Sequence, residues 1–524
     1  MKRLAFAFVL AAALAALACS DVAPIQVPGP TVAHPPGTSV VTRETPGAVA
    51  TLARRNPSAR VVAFRVVFDA GSSDDPAGKE GLTALAAAMT TQSGTQKLTF
   101  AELSRALYPM AAYVDVHVDR DQTVFSADIA AADLDRFYPL LRDVILRPRL
   151  DDASFTRLRT RQKSRLDDDL KGADDESLGK EALQAAIYAD HPYGHPAVGT
   201  DAGLAAIGLD DVKAQRTRVF CKERVRVGVA GAFPVGFDKT VASDFDALPA
   251  CGGARPGLPE PEKHHGLRVL IVDKPSADAT AISIGFPTTM TRASDDFPTA
   301  YFFTSYVGLH RQSAGVLYNQ LREKRGLNYG DYAYAEHFEQ DGWTRFTLPN
   351  DARREQLVSI WLRPVKPANG IFALRGALHF WRAYVEGGVP DAEIARFGAF
   401  LSRYASLEQQ TESRRLGFAI DDATYRLSTP FVERMRAAWA ALDSKKLAQV
   451  IARDLATRDM TVAIVAKNGA ALKKALVGGE KSPPTYDSPK PKAVTDEDTV
   501  IEALPLGLKD ADVTVVPVAE LFAR

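Results

Sequence analysis

The chain has 524 residues, which is too long for one compact core and predicts two domains of a little over about 200 residues each. Apolar residues make up 46% and charged residues 24%, the usual balance of a globular protein. Lysine plus arginine equals aspartate plus glutamate, at 64 each, so no net field favours nucleic acid or an anionic membrane surface as a partner.

The N-terminus predicts export and a lipid anchor. Lys2 and Arg3 precede the apolar run Leu4–Ala18, which has the length of a signal-peptide core and is too short to span a bilayer. A small residue directly before Cys19 resembles a bacterial lipoprotein cleavage site, which makes residues 1–18 a signal peptide; plain secretion with an incidental Cys19 is the alternative. We expect the mature chain in the cell envelope, facing the periplasm, with the lipid as its only membrane contact. The residue directly after Cys19 is Ser20 and not an acid, which favours the outer membrane.

Shifts in composition mark the other boundaries. Residues 19–45 are rich in proline, glycine, valine and threonine and lack helical periodicity, which is typical of a tether. Glycines, prolines and a charge cluster at 252–266 indicate a linker. These breaks predict a first domain at 46–251, a second domain at 267–480, and a C-terminal extension at 481–524 that packs on the second half.

The segments on either side of the linker resemble each other. Val61–Phe68 predicts a strand that leads through an acidic turn into the apolar stretch Gly81–Met89, and Ala281–Phe286 leads in the same way into Thr299–Val307. Two later pairs keep the same order: strands at Arg226–Ala230 and Thr461–Val465, and acid-led helices near Asp151 and Asp391. Each pair is separated by roughly 220–240 residues, which predicts a duplicated α+β unit.

Three landmarks resemble the pitrilysin/insulinase family of zinc peptidases. They are the strand, turn and helix of Phe64–Thr95, the turn of His191–Thr200, and the segment Leu321–Tyr329 in the second half. The resemblance covers about residues 46 to 480. It implies an α+β fold of two homologous domains, each a mostly antiparallel sheet with helices packed on it, which enclose a chamber.

The zinc-binding motif of that family, H-x-x-E-H, is missing. A helix places its two histidines at i and i+4 on one face, where both ligate zinc, and the glutamate activates the metal-bound water. The resemblance places these three positions at Ala84, Ala87 and Ala88. A methyl group neither ligates zinc nor takes a proton, so we expect no cofactor, although the family uses zinc, and no peptidase activity from the chain alone.

The third zinc ligand of the family is a glutamate on the following long helix, expected here at about Asp152–Leu170. Its central candidates are Gln162, Arg165 and Leu166, with Arg165 at the family position, and the acids Asp167–Asp169 fall beyond it. None of the candidates is a glutamate, so all of the family's zinc ligands are absent together.

No other residues predict a metal site. Pro192 and Pro196 preclude a regular helix through His191 and His195, so their spacing does not place them on one face. We expect Glu176 and Glu181 to be surface or capping acids on a helix. The remaining histidines receive no metal role, because two lie in the linker and the others are scattered: His264, His265, His117, His310, His337 and His379.

Two further pairs receive candidate roles. Cys221 and Cys251, in an oxidising compartment, form either a disulfide or two buried thiols; closing the loop contributes roughly 3–4 kcal/mol in the chain-entropy model. In active members of the family, an arginine and a tyrosine seven apart reach the substrate, and Arg322 and Tyr329 keep that spacing. The structural alternative makes Arg322 a surface helix residue and Tyr329 a strand aromatic.

Some members of this family work as two-chain complexes, in which one chain carries the zinc motif and the other helps to close the chamber. The sequence resembles the second kind. Our leading hypothesis is a non-catalytic subunit that binds peptide and forms a heterodimer with a zinc-bearing homologue. The alternatives are an autonomous metallopeptidase with a non-standard metal site, and a peptide-binding scaffold without protease activity.

Overall fold

The computed structural model describes residues 41–43, 49–339 and 346–524. The expected signal peptide, the lipidation site Cys19 and most of the expected tether lie outside the described residues. The predicted end of the tether at residue 45 is wrong, because Val41–Arg43 forms strand β1 and pairs antiparallel with β2 (Ala50–Arg55). Among the residues described, none of the helices combines the length and apolar character that crossing a bilayer requires.

The first half is built on a six-stranded, mostly antiparallel sheet with the order β1-β2-β6-β3-β5-β4. The central strand β3 is an almost continuous apolar run and is buried on both faces. Only β2 and β6 are parallel neighbours, and β4 is an edge strand. The further strands of this sheet are β3 (Val61–Phe68), β4 (Asp115–Val118), β5 (Thr123–Ala130) and β6 (Val225–Gly231).

The second half repeats this order. Its sheet runs β12-β7-β11-β8-β10-β9, so that β7, β11, β8, β10 and β9 take the places of β2, β6, β3, β5 and β4. The predicted duplication is therefore visible in the strand topology. The strands are β7 (Leu267–Asp273), β8 (Thr280–Thr288), β9 (Asp331–Tyr334), β10 (Gln356–Val365), β11 (Met460–Ala466) and β12 (Val513–Pro517).

Helices cover both sheets. Those before residue 252 are α1 (Leu82–Gln92), α2 (Phe100–Leu107), α3 (Leu134–Leu146), α4 (Asp152–Ser164), α5 (Asp175–Ile187), α6 (Asp201–Ala206), α7 (Leu209–Val219) and α8 (Phe237–Phe245). Those after it are α9 (Phe297–Gly308), α10 (Gly370–Gly387), α11 (Asp391–Leu407), α12 (Glu412–Thr424), α13 (Phe431–Ala440), α14 (Ser444–Val450), α15 (Gly469–Gly478) and α16 (Lys492–Ile501). Wider π-helical turns occur at Arg165–Ala173, Tyr318–Glu323 and Ile451–Leu455.

Each half lends one helix to the other. Helix α5 packs on β8 and β11 of the second sheet, and α12 packs on β3 and β6 of the first. At Gly228 in β6, a Cβ atom would lie 2.8 Å from Leu416 Cδ1, so the glycine lets α12 approach the sheet closely. Leu416 and Ile420 of α12 share a small apolar core with strand residues of the first sheet. The halves are thus joined through buried apolar surface on both sides.

The C-terminal extension contacts both halves, whereas the sequence predicted packing on the second half only. Its strand β12 pairs in parallel with the edge of β7. Beyond β12, the N–H of Asp201 donates to the Phe522 carbonyl at 2.9 Å, and the N–H of Ala202 donates to the Ala523 carbonyl at 3.1 Å. Leu521 and Phe522 are buried in the core of the first half. Burial of these apolar side chains explains why the extension contacts the first half as well as the second.

Candidate functional site

Helix α1 carries the three alanine positions and is fixed at its N-terminus. Gly81 precedes it with a φ of 98°, and a Cβ there would lie 2.8 Å from Val198 O and 2.9 Å from Gln162 Nε2, so only glycine fits. Asp75 accepts hydrogen bonds from the N–H groups of Gly81 and Thr83, at 2.7 Å each. These bonds satisfy backbone N–H groups that have no partner within the helix at its N-terminus. Burial raises the pKa of Asp75 to about 7, although the hydrogen bonds act in the opposite direction.

A cavity of about 870 Å³ opens between the two halves, and α1 forms part of its wall. Ala84 and Ala88, which are one helical turn apart, line the cavity. Ala87 lies between them and is buried in the core of the first half. The structure therefore brings the two histidine positions of the family to the cavity, while a glutamate at 87 would have to displace core packing.

Helix α4 lies next to α1 in the same wall of the cavity. The long helix predicted for Asp152–Leu170 is α-helical only to Ser164 and continues as a π-helical turn to Ala173. Gln162 Nε2 donates to the carbonyls of Gly81 and Val198 at 2.9 Å, which ties α4 to the start of α1. Leu166 is buried, whereas Arg165 is exposed and lines the cavity.

The residues at the family's zinc position do not fit zinc. Ala84 and Ala88 present methyl groups, and Arg165 presents a cation that would repel a metal ion. The acid two residues further along, Asp167, pairs with Lys163. The residues at the positions expected for the zinc ligands therefore cannot support metal-assisted hydrolysis, although α1 and α4 hold these positions in place.

Acids of α5 also line the cavity, which corrects the prediction that Glu176 and Glu181 are surface or capping residues. Glu181 pairs with the buried Arg120 at 2.5 Å. Glu176 pairs with Lys180 at 2.8 Å and with Arg363 of the second half at 3.2 Å. Sequence reasoning missed them because the surface that α5 faces belongs to the second half. The spacing of 176, 180, 181 and 184 on one helical face was the available signal.

The second half contributes an aromatic section of the cavity wall. Trp361 of β10 lines the cavity, with Lys180 Nζ 3.8 Å from the centre of its ring. Tyr332 and Tyr334 lie on the Trp361 face of the sheet and pack with Phe338 and Trp361 in one buried cluster. The second half thus adds aromatic surface to the cavity, beside charged side chains such as Arg363 and Glu339.

Ionisable groups of both halves meet at one end of β4. Asp119 accepts two hydrogen bonds from the Arg353 guanidinium at 2.5 Å each. Burial alone would raise the pKa of Asp119, but Arg353 outweighs it and holds the pKa well below its ordinary value. Burial and the neighbouring Asp119 raise the pKa of Asp351 well above its ordinary value. Arg353 therefore compensates one carboxylate of this pair better than the other.

Arg322 and Tyr329 lie together but do not line the cavity. The Arg322 guanidinium stacks 5.2 Å from the centre of the Tyr329 ring and also bonds to the Tyr318 hydroxyl. Tyr329 is 73% exposed and lies in the turn before β9. Arg363 connects this pair to the cavity, since it stacks 5.9 Å from the Tyr329 ring and lines the cavity itself.

Cys221 and Cys251 are joined by a disulfide in the structure, with their Cα atoms 5.1 Å apart. The bond attaches the start of the linker to the turn before β6. Linker residue Arg255 pairs with Asp74 at 2.6 Å and with Asp121 at 2.7 Å. Residues 252–266 thus form neither helix nor strand but are anchored to the first half.

Two interlocked α+β repeats around an internal cavity define a peptidase-like chain, and comparison with known families agrees. A model described as "Insulinase (Peptidase family M16)" matches residues 50–201, and one described as "Peptidase M16 inactive domain" matches residues 206–396. Together they match more than half of the sequence. The chain belongs to the insulinase family of peptidases, family M16, which includes the pitrilysin-type fold.

Individual relatives are distant. An uncharacterized zinc protease of Mycobacterium leprae (strain TN) is 24% identical over 303 residues, which are 57% of this chain and 66% of the relative. The chain therefore spans just under two thirds of that relative's length. A crystal structure of a peptidase M16 inactive domain from Pseudomonas fluorescens shares the fold, with a TM-score of 0.71 and 17% identity over 82% of this chain and 98% of the other. Pitrilysin has a TM-score of 0.59 and 16% identity over 82% of this chain and 45% of its own.

Restoring a zinc site should require a change at residue 165 as well as at 84 and 88. We expect the Ala84→His/Ala88→His/Arg165→Glu variant to bind zinc at least about tenfold more tightly than Ala84→His/Ala88→His, because a carboxylate replaces a cation at the third ligand position. Competition with a chromogenic zinc chelator measures the difference.

The matched control for this experiment is Arg161→Glu in the double-histidine background. It makes the same charge change one helical turn earlier, on a residue that also lines the cavity. Equal gains in zinc affinity from Arg161→Glu and Arg165→Glu, or no gain from either, would contradict the assignment of Arg165 to the ligand position.

Proposed function

We propose that this chain is a non-catalytic subunit that binds extended peptide and completes the chamber of a zinc-bearing homologue. The observation that carries the proposal is a cavity that keeps its walls but has alanine at both histidine positions, Ala84 and Ala88. A chain of this kind holds a peptide without cleaving it. The catalytic zinc, the activated water and the cleavage step belong to the partner.

The edge strand β4 supports peptide binding. It pairs with β5 on one side only, and residues 114–120 line the cavity. The N–H of Asp119 donates to the Gln122 carbonyl, so in the alternating antiparallel ladder His117 bonds to β5 while Val116 and Val118 direct their backbone groups to the open edge. An extended peptide can therefore add to the sheet through main-chain hydrogen bonds.

The opposite walls supply side-chain contacts. Trp361 and Phe338 offer apolar surface, while Lys180 and Arg363 offer charge that Glu176 only partly neutralises. Main-chain bonding to β4 would give affinity for many sequences, and these side chains would set preferences. This combination suits a subunit that presents peptides of varied sequence.

Replacing Val116 by proline should weaken peptide binding without disturbing the β4–β5 ladder. Proline removes an N–H that points to the open edge, and edge strands tolerate it there. One lost backbone hydrogen bond corresponds to roughly a two- to tenfold rise in the dissociation constant. Fluorescence anisotropy with a labelled, unstructured peptide measures it.

The matched control is Val116→Ala, which removes side-chain atoms but keeps the N–H. It should bind peptide like the unmodified chain. Equal binding by Val116→Pro and Val116→Ala would show that peptide does not pair with β4.

Exposed aromatic and cationic groups support contact with a second chain. Tyr329 is 73% exposed, and two guanidinium groups, from Arg322 and Arg363, stack on its ring. Arg322 offers planar donors to a carbonyl or carboxylate beyond this chain. The pair therefore suits substrate held jointly with a zinc-bearing partner.

In a complex with such a homologue, Arg322→Ala should lower the kcat/KM for peptide cleavage roughly 10- to 100-fold, since charge-assisted hydrogen bonds contribute about 1.5–3 kcal/mol. Tyr329→Phe should cost less because it removes one neutral donor and keeps the ring. Arg322→Lys keeps the charge but loses the planar fork, so a large loss with lysine indicates bidentate contact. Unchanged activity in all three variants would favour the peptide-binding scaffold.

We also propose that the mature chain is anchored by lipid at Cys19 to the outer membrane and faces the periplasm. The apolar run Leu4–Ala18 and the small residue before Cys19 support this placement. An anchored subunit would hold its partner near the membrane. The disulfide between Cys221 and Cys251 is consistent with an oxidising compartment.

A further inference from the structure

The cavity wall carries a second group of ligand-type side chains, distinct from the alanine positions. His117 and Asp119 lie at the end of β4 in the first half, whereas His337 and Glu339 follow β9 in the second. These four residues line the cavity, and Asp351 is buried next to them. His117 and His337 are far apart in the sequence because they belong to different halves. Only the fold brings them together.

We propose that this group binds a divalent transition-metal cation, with Zn²⁺ preferred. One ligand atom from each of His117, Glu339 and Asp351 lies within 4.8 Å of the other two, and the same holds for Asp119, His337 and Asp351. His117 Nε2 is 3.2 Å from Glu339 Oε2, and His337 Nε2 is 3.7 Å from Asp351 Oδ2. Tetrahedral zinc with bonds of about 2.0–2.2 Å holds its ligand atoms roughly 3.3–3.6 Å apart, so small side-chain rotations suffice.

Asp351 points to a cation independently of the cluster geometry. Asp351 is only 6% exposed. Within the described part of the chain, the Oδ1 atom of Asp351 makes no hydrogen bond. A buried carboxylate oxygen without a partner is costly. The Arg353 guanidinium donates to both oxygens of Asp119. A metal ion bound by His117, Glu339 and Asp351 would supply the missing positive charge.

The mixture of donors favours zinc over magnesium or calcium. Imidazole nitrogens suit zinc and its neighbours, whereas magnesium and calcium prefer sites made of oxygen alone. The side chains of His117 and Glu339 are 43% and 44% exposed, so a cation can enter from the cavity. It would tie β4 to two segments of the second half across the cavity. The sequence predicts no bound cofactor and gives His117 and His337 no metal role, so this proposal departs from that expectation, at a site separate from Ala84 and Ala88.

Zinc titration of the full mature chain tests the proposal. The protein is stripped with chelator and dialysed without reductant, so that Cys221 and Cys251 stay joined and the third metal-capable group, which they form with Glu223, cannot bind through sulfur. Calorimetry and elemental analysis should then show close to one equivalent of zinc. His117→Gln and Asp351→Asn should each weaken binding at least about tenfold, and zinc should raise the thermal midpoint of the unmodified chain but not of these two variants.

His265→Gln is the matched control. His265 also pairs with a carboxylate, Asp459, at 3.5 Å, but the described residues provide no third ligand there. This variant should bind zinc like the unmodified chain. His117 is exposed, so His117→Gln should keep the metal-free thermal midpoint and remain informative if Asp351→Asn fails to fold. No stoichiometric zinc in the unmodified chain, or unchanged binding in His117→Gln, would overturn the proposal.

Discussion

The exchange of one helix between the halves is the packing on which the rest of the structure depends. Each sheet is covered on one face by helices of its own half and on the other by a helix of the opposite half, α5 or α12. Separating the halves would expose apolar surface on both sheets, at about 25 cal/mol for each square ångström of apolar area. The C-terminal extension adds to this joint, because β12 extends the second sheet while Phe522 is buried in the first core.

This joint holds the cavity in place whichever residues occupy positions 84, 88 and 165. The walls of the cavity come from α1, α4, α5, β4 and β10, which are held by core packing. Alanine at positions 84, 87 and 88 suits a helix, since it has the best helix propensity of all residues. Arg165, at the position expected for the third ligand, is exposed directly after α4 and displaces no core residue. The catalytic groups and the scaffold are therefore separable in this fold.

The sequence predicted the elements that depend on local pattern. β3 has the bounds Val61–Phe68 that its apolar run predicted, and the strand order of the second sheet confirms the duplication. The resemblance placed the two expected histidine positions at Ala84 and Ala88, and helical spacing accounts for their shared face, which lines the cavity. The position of Glu176 in the cavity wall and the proximity of His117 to His337 could not be predicted, because each depends on contacts between the halves that no local pattern encodes. Strand β1 was missed because a short segment after a proline-rich stretch becomes a strand only through its partner β2.

The most direct test of the central claim is mass spectrometry of an unstructured peptide incubated with the purified chain and excess zinc, with binding measured in parallel. The account predicts that the peptide binds and is recovered intact, because no residue at the family's zinc position can hold the metal or activate water. A zinc-bearing homologue serves as the positive control. Cleavage by this chain alone that is abolished by a chelator would contradict the account.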